Sequence, residues 1–172
     1  MSNDALTKSL LVSGRKDQRN WRSNSFVRFA TSEFILDASI ALKWVLAEPD
    51  SAAALEVRRD LLAGNRALLA PDHFPYEEVG YALTKAERRR AIQVGEASEL
   101  AGKVFASMPE LYPAVDLLRR AIEISSKLRV GLYDCMHLAL AEQEQVPVPT
   151  GDLRLVAAAR DQFPVLTLAD LA

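Results

Sequence analysis

Four acidic residues stand where a carboxylate can do chemistry: Asp37, Glu78 (or its neighbour Glu77), Asp134 and Asp152. Asp37 leaves the apolar run Phe34-Ile35-Leu36, which reads as a short buried strand, and Ala38-Ser39-Ile40-Ala41-Leu42 turns at once into a helix. Ligands of an open α/β sheet bind beyond the carboxyl ends of its strands. Glu77 or Glu78 falls in the first turn of a helix after a second strand, Asp134 at the start of an apolar helix, and Asp152 between a strand and a helix. A parallel sheet brings all of them to one edge. Carboxylates gathered there repel and raise one another's pKa values. Helix N-termini offset part of that repulsion, and a divalent cation offsets far more. Hard oxygen ligands suit Mg²⁺ or Mn²⁺. Such a site holds a phosphodiester through the metal and activates water, so the chemistry implied is metal-assisted phosphodiester hydrolysis.

Ser39 and Thr150 set hydroxyls close to Asp37 and Asp152, for water, metal-bound oxygen or phosphate, or for local capping. His73 is expected to be an exposed loop residue near the pocket rim, and His137 a satisfied packing residue inside an apolar helix; hydrolysis requires neither. Cys135 is the single cysteine, so no intrachain disulfide can form, and its expected role is that of a small buried hydrophobe. The chain has no Gly-rich Lys-Ser/Thr loop, no dinucleotide fingerprint and no His-Glu-x-x-His. Ser39 stands two positions after Asp37, where an aspartyl-phosphate phosphatase has an acid. No lysine follows Val148 or Thr167 to serve as the phosphate-binding residue of a receiver fold.

The elements that position these acids alternate. Strands are expected near 33–37, 66–70, 109–112, 146–149 and 165–167, and helices near 39–46, 51–63, 75–89, 93–107, 113–127, 135–144 and 153–160. Ala54, Leu55, Leu61 and Leu62 are read as the apolar stripe of the second helix, and Val115, Leu118, Ile122 and Leu128 as that of the helix after Pro113. Asp50 or Ser51 is expected to cap the second helix, and Asp134 the helix 135–144. Pro147 and Pro149 argue against an interior strand by propensity, yet the segment lies between two helices and ends at an acid. Such alternation implies a mostly parallel sheet covered on both faces.

At 172 residues the chain is long enough for one domain with a real core. Its net charge of −2 is unevenly spread: residues 1–31 carry six basic and two acidic side chains, a net of +4. The remainder is acidic and repels a polyanion unless a cation intervenes. Residues 1–31 are read as a basic, flexible extension and 32–172 as the folded domain. No run of apolar residues suggests a membrane span or a signal peptide, and a cytoplasmic location is the default.

With these motifs in order, the chain resembles the PIN-domain ribonucleases, in particular VapC-type toxins of bacterial toxin–antitoxin pairs. Ile35-Leu36-Asp37-Ala38-Ser39 through Trp44 matches the first motif of that family, and Ala70-Pro71-Asp72-His73-Phe74-Pro75-Tyr76-Glu77-Glu78-Val79 through Leu83 the second. Leu132-Tyr133-Asp134-Cys135-Met136-His137 through Glu142 matches the third, and Val148-Pro149-Thr150-Gly151-Asp152 through Leu155 the fourth. Coverage is about residues 33–168. The resemblance implies an α/β, PIN-like three-layer domain with about five short, mostly parallel strands flanked by helices. It implies that Asp37, Glu78, Asp134 and Asp152 hold Mg²⁺ (or Mn²⁺), with Thr150 as the hydroxyl companion. It also implies an RNA substrate, a homodimer and a small antitoxin that blocks the pocket. Two features depart from the pattern: Glu77 competes with Glu78, and Tyr81 stands where the family commonly has asparagine or histidine.

A metal-dependent endoribonuclease toxin is therefore the expected function. A PIN-like module that binds RNA or protein without cutting is the alternative from another class, and a nuclease with a DNA or housekeeping RNA substrate is a third reading. Lys43, Lys85, Arg88, Arg89, Arg90 and Arg154 are the candidate RNA contacts.

Overall fold

Asp37 and Asp152 owe their positions to strands that run in one direction. The structure is a computed structural model and describes residues 32–171; the extension expected over 1–31 lies outside the described residues. Strands β1 (Glu33–Ile35), β2 (Ala67–Pro71) and β3 (Glu110–Tyr112) pair in parallel in the order β1-β2-β3. Ile35 sits opposite Leu69, and Leu69 opposite Glu110. Strands β4 (Val148–Pro149) and β5 (Val165–Leu166) form a second parallel ladder. The Ile35 N–H donates to the Pro147 carbonyl at 2.9 Å and joins the two ladders beside β1.

Alternation along the strands builds two cores. Ile35 and Leu69 face one side, where they pack with Val148; Phe34, Leu36, Leu68 and Ala70 face the other. The first face is covered by α5 (Ala114–Leu128), α6 (Leu132–Glu144) and α7 (Leu153–Ala159), and the second by α1 (Ala38–Leu42), α2 (Ser51–Leu62), α3 (Tyr81–Arg88) and α4 (Glu96–Phe105). This is the three-layer α/β arrangement expected from the sequence. Among the described residues, no helix is long and apolar enough to cross a membrane.

Several local expectations need correction. The α5 face that packs inward is Leu117, Ala121 and Ile124, whereas Val115, Leu118 and Ile122 are exposed, Val115 to 75%. The helix carries two overlapping apolar stripes, and the buried one has the small Ala121 at its centre, which lets the alanine-rich α6 lie close. Arg120 then reaches across to Glu142 with a bidentate pair at 2.6 and 3.0 Å. In α2 the buried residues are Ala54 and Val57; Leu55 and Leu62 are exposed and Leu61 is half-buried. Asp50 occupies the cap position of α2 without a side-chain capping bond, while the Ser51 hydroxyl accepts from Glu48 N–H at 3.1 Å. Helix α6 starts earlier than expected: Gly131 is its cap residue, and Asp134 lies inside its first turn.

The helix expected over 75–89 is wound in two ways. Phe74–Gly80 is a π-helix that continues into α3. Pro75, in its first turn, brings no N–H. A Cβ on Gly80 would come within 3.3 Å of the Pro75 carbonyl, so the glycine lets the wider turn close. The winding leaves Glu77 exposed and turns Glu78 inward. Single π turns inside helices often mark functional positions.

Candidate metal centre

Asp37 is the cap residue of α1, and both of its oxygens are engaged. Oδ1 accepts from the Ser39 N–H at 3.0 Å; Oδ2 accepts from the Ser39 hydroxyl at 3.0 Å and from the Thr150 hydroxyl. Each hydroxyl has a single hydrogen, spent on Asp37, so each then acts as acceptor. Ser39 Oγ takes the Gly151 N–H at 2.8 Å, and Thr150 Oγ1 takes the Asp152 N–H at 3.0 Å. A Cβ on Gly151 would lie 3.3 Å from both Ser39 Oγ and Lys43 Cε, so a larger residue there must push both side chains aside by a few tenths of an ångström. The exits of β1 and β4 are thereby latched together through Thr150, which is only 1% exposed.

Thr150→Val tests that latch. It removes one donor to Asp37 and strands the Asp152 N–H, a loss of about 2 kcal/mol. The expected melting temperature falls by about 4–8 °C, measured by thermal unfolding monitored by circular dichroism. An unchanged melting curve would show that the latch carries no stability.

Asp152 caps α7, accepting from the Arg154 N–H at 2.8 Å and the Leu155 N–H at 3.4 Å; the Arg154 guanidinium lies 3.4 Å away. Burial pushes its carboxyl up, but these donors outweigh burial and hold it below the usual carboxylate range. Asp134 has no such help. Burial raises it first, then the charges of Asp37, Asp152 and Glu78, and despite opposition from His137 its pKa is pushed up to about 6. Asp37, Asp152 and Glu78 are thus close enough for their charges to act on Asp134. The donor set is oxygen only, with repulsion concentrated on Asp134, and a hard divalent cation fits it.

Glu78 is the acid that reaches this cluster. Glu77 is exposed and hydrogen-bonds the Tyr133 phenol, holding that hydroxyl above its ordinary pKa. His73 departs from expectation: it is buried at 3% exposure, with Nε2 3.2 Å from Glu78 Oε1. The loop is polar in sequence, but the adjoining Phe74 anchors it in the core. His137 is buried as expected but only half satisfied: Nδ1 meets the Tyr133 carbonyl at 3.1 Å, while Nε2, 3.5 Å from Glu78 Oε2, has no hydrogen-bond partner. Burial lowers its pKa, yet the charges of Glu78 and Asp37 prevail and raise it. A signal for His137 was present in the sequence, since it lies one helical turn beyond Asp134. Cys135 is a buried hydrophobe, its thiol pushed up to about 11 by burial and by Asp134.

The candidate RNA contacts differ in availability. Lys43 is engaged by Glu48 at 3.1 Å and the Pro49 carbonyl at 2.8 Å. Lys85 and Arg88 lie against the Tyr81 ring, at 5.6 and 5.9 Å from its centroid. Arg89 and Arg90 are exposed, and the Arg154 side chain is open to solvent beside Asp152.

Comparison with known proteins agrees with this architecture. The crystal structure of PAE2754 from Pyrobaculum aerophilum superposes with a TM-score of 0.58 at 22% identity, over 81% of this chain and 92% of that one. That likeness is one of fold. No curated protein matches the chain. The PIN domain family matches residues 34–161, a span that runs from the strand before Asp37 to beyond the helix capped by Asp152. PIN domains are generally nucleases that use a divalent metal. Parallel strands, acids at their exits and a family match over most of its length agree: this chain belongs to the PIN domain family.

Proposed function

We propose that the protein is a metal-dependent endoribonuclease that hydrolyses RNA phosphodiester bonds as the toxin of a toxin–antitoxin pair. The observation that carries the reading is the strained Asp134 carboxyl, raised to about 6 by burial and by Asp37, Asp152 and Glu78. A protein that gathers four carboxylates without matching lysines or arginines at each is built to receive a cation.

In this reading Asp37, Glu78, Asp134 and Asp152 hold Mg²⁺ or Mn²⁺, which supplies charge neutralisation at the phosphate and a more acidic water. Ser39 and Thr150 fix the Asp37 carboxylate, so it is oriented before the ion arrives. Arg154 steadies Asp152 and leaves its guanidinium at the open side, where a phosphate backbone is to be received. Lys85, Arg88, Arg89 and Arg90 offer the local positive charge that the acidic body lacks. The toxin role, the antitoxin and the homodimer rest on the resemblance of the four motifs to VapC-type proteins.

The test is cleavage of a mixed structured RNA pool by purified, antitoxin-free protein. Cutting is expected with Mg²⁺ or Mn²⁺ and none with EDTA. Folded protein that binds RNA but cuts under no metal condition would replace this reading with that of a binding module.

A further inference from the structure

We propose that His73, Glu78 and His137 form a second cation site, distinct in donor chemistry from the oxygen-only cluster and suited to a divalent transition metal such as Zn²⁺. One ligand atom from each residue lies within 4.8 Å of the others. His73 and His137 are 3% and 2% exposed, so both are well removed from water.

The tautomer of His137 carries the argument. Its Nδ1 lies 3.1 Å from the Tyr133 carbonyl, which can only accept, so Nδ1 bears the proton and donates. In the neutral ring, Nε2 then presents a lone pair toward Glu78 Oε2, 3.5 Å away. A carboxylate oxygen also only accepts. Both atoms are buried and neither has a hydrogen-bond partner. In that tautomer two buried acceptors face one another and call for a positive charge, which a proton on Nε2 or a metal ion supplies.

The backbone contact of His137 is one that suits a metal ligand. Metal-bound histidines commonly give their other ring N–H to a backbone carbonyl, which fixes tautomer and orientation. His73 completes the set: its Nε2 donates to Glu78 Oε1 at 3.2 Å in the metal-free protein, and binding an ion there moves the proton to the unpartnered Nδ1. The Glu78 carboxylate lies between the two rings and turns one oxygen to each, Oε1 3.2 Å from His73 Nε2 and Oε2 3.5 Å from His137 Nε2. The rings are held by packing: His73 stands edge-on to His137 at 5.7 Å, and Tyr133 lies 4.9 Å from His73. Two imidazoles and one carboxylate suit zinc-like ions, whereas Mg²⁺ prefers oxygen. Glu78 is the residue the two sites share. The inference does not require that the protein cut RNA.

The experiment is a Co²⁺ titration of chelator-stripped, full-length protein, followed by visible absorption and without RNA. A tight site with intense d–d bands is expected, as nitrogen-containing sites of low coordination number give, together with displacement by Zn²⁺ but not by millimolar Mg²⁺. His73→Gln and His137→Gln are each expected to lower Co²⁺ affinity about tenfold or more. Asp37→Asn, which removes no ligand of the histidine site, is expected to leave the bands in place. Absence of the bands from the wild-type protein overturns the proposal whatever the variants do. So do bands that survive in both histidine variants, or bands lost in Asp37→Asn but not in them.

Discussion

Asp37→Asn is expected to lower metal-dependent RNA cleavage by about a hundredfold or more while leaving the fold in place. The substitution separates charge from structure. Asparagine caps helices as well as aspartate does, so its Oδ1 still accepts the Ser39 N–H that opens α1. Its amide meets two hydroxyls in place of Oδ2, and Ser39 and Thr150 can turn to accept from it, since a hydroxyl both donates and accepts. What is lost is one negative charge at the exit of β1. Under the proposed hydrolysis that charge helps hold the ion that neutralises the phosphate. Initial rates on RNA with Mg²⁺, read beside the melting temperature, check it. Cleavage within a few-fold of wild type by an intact variant would remove Asp37 from the metal-holding set and with it the proposed site.

The strand-exit acids could be read in the sequence because local signals agreed there. Phe34, Ile35 and Leu36 are fully buried, and the helix formers after Asp37 left the carboxylate no other place than the turn. The segment 146–149 was harder, since two prolines speak against a strand. The structure shows why both are tolerated. The N–H groups of Val148 and Thr150 donate to the Pro164 and Leu166 carbonyls beside β5, so the two prolines occupy the alternate positions, whose N–H the ladder does not use. The Pro147 carbonyl still serves β1.

What could not be read depends on tertiary choice. Residues 114–128 offer two apolar faces, and only packing against α6 selects Leu117, Ala121 and Ile124. Nothing local announces that α6 begins at Leu132, because Leu132 and Tyr133 remain exposed and the cap residue Gly131 makes no side-chain bond. Glu77 and Glu78 are neighbours with equal claims in the sequence. The π turn separates them, and with it buries His73. The histidine pair around Glu78 was therefore invisible as a unit, although each member stood in a motif.

Burial of Asp134, with the neighbouring carboxylates adding to it, makes a second strong expectation: in EDTA, the stability of the protein falls as pH rises from about 4 to 6. Its carboxyl titrates near 6 in the folded chain, against an ordinary value of 3.8. Between those values the folded state holds a proton that the unfolded chain has released, so stability drops as pH rises through this window and stays lower above it. The full shift corresponds to about 3 kcal/mol. Asp134 is partly solvated, which screens its repulsion, so about 1–2 kcal/mol is the expected effect, or about 3–6 °C in melting temperature. Other shifted groups act elsewhere. The lowered carboxyls of Glu99, Asp152 and Asp170 stabilise above the ordinary carboxylate range and lose that contribution as pH falls below it. The raised His137 stabilises below about 6.5 and loses its contribution above that. The window from 4 to 6 thus belongs to Asp134. Asp134→Asn is expected to flatten it, and saturating Mg²⁺ to flatten it in the wild-type protein by supplying the missing positive charge. Melting curves at half-unit pH steps measure both effects. A wild-type curve that is flat or rising in EDTA across this interval, or one that Asp134→Asn leaves unchanged, would show that neither burial nor the neighbouring carboxylates strain Asp134, and the case for a cation among these acids would lose its main physical support.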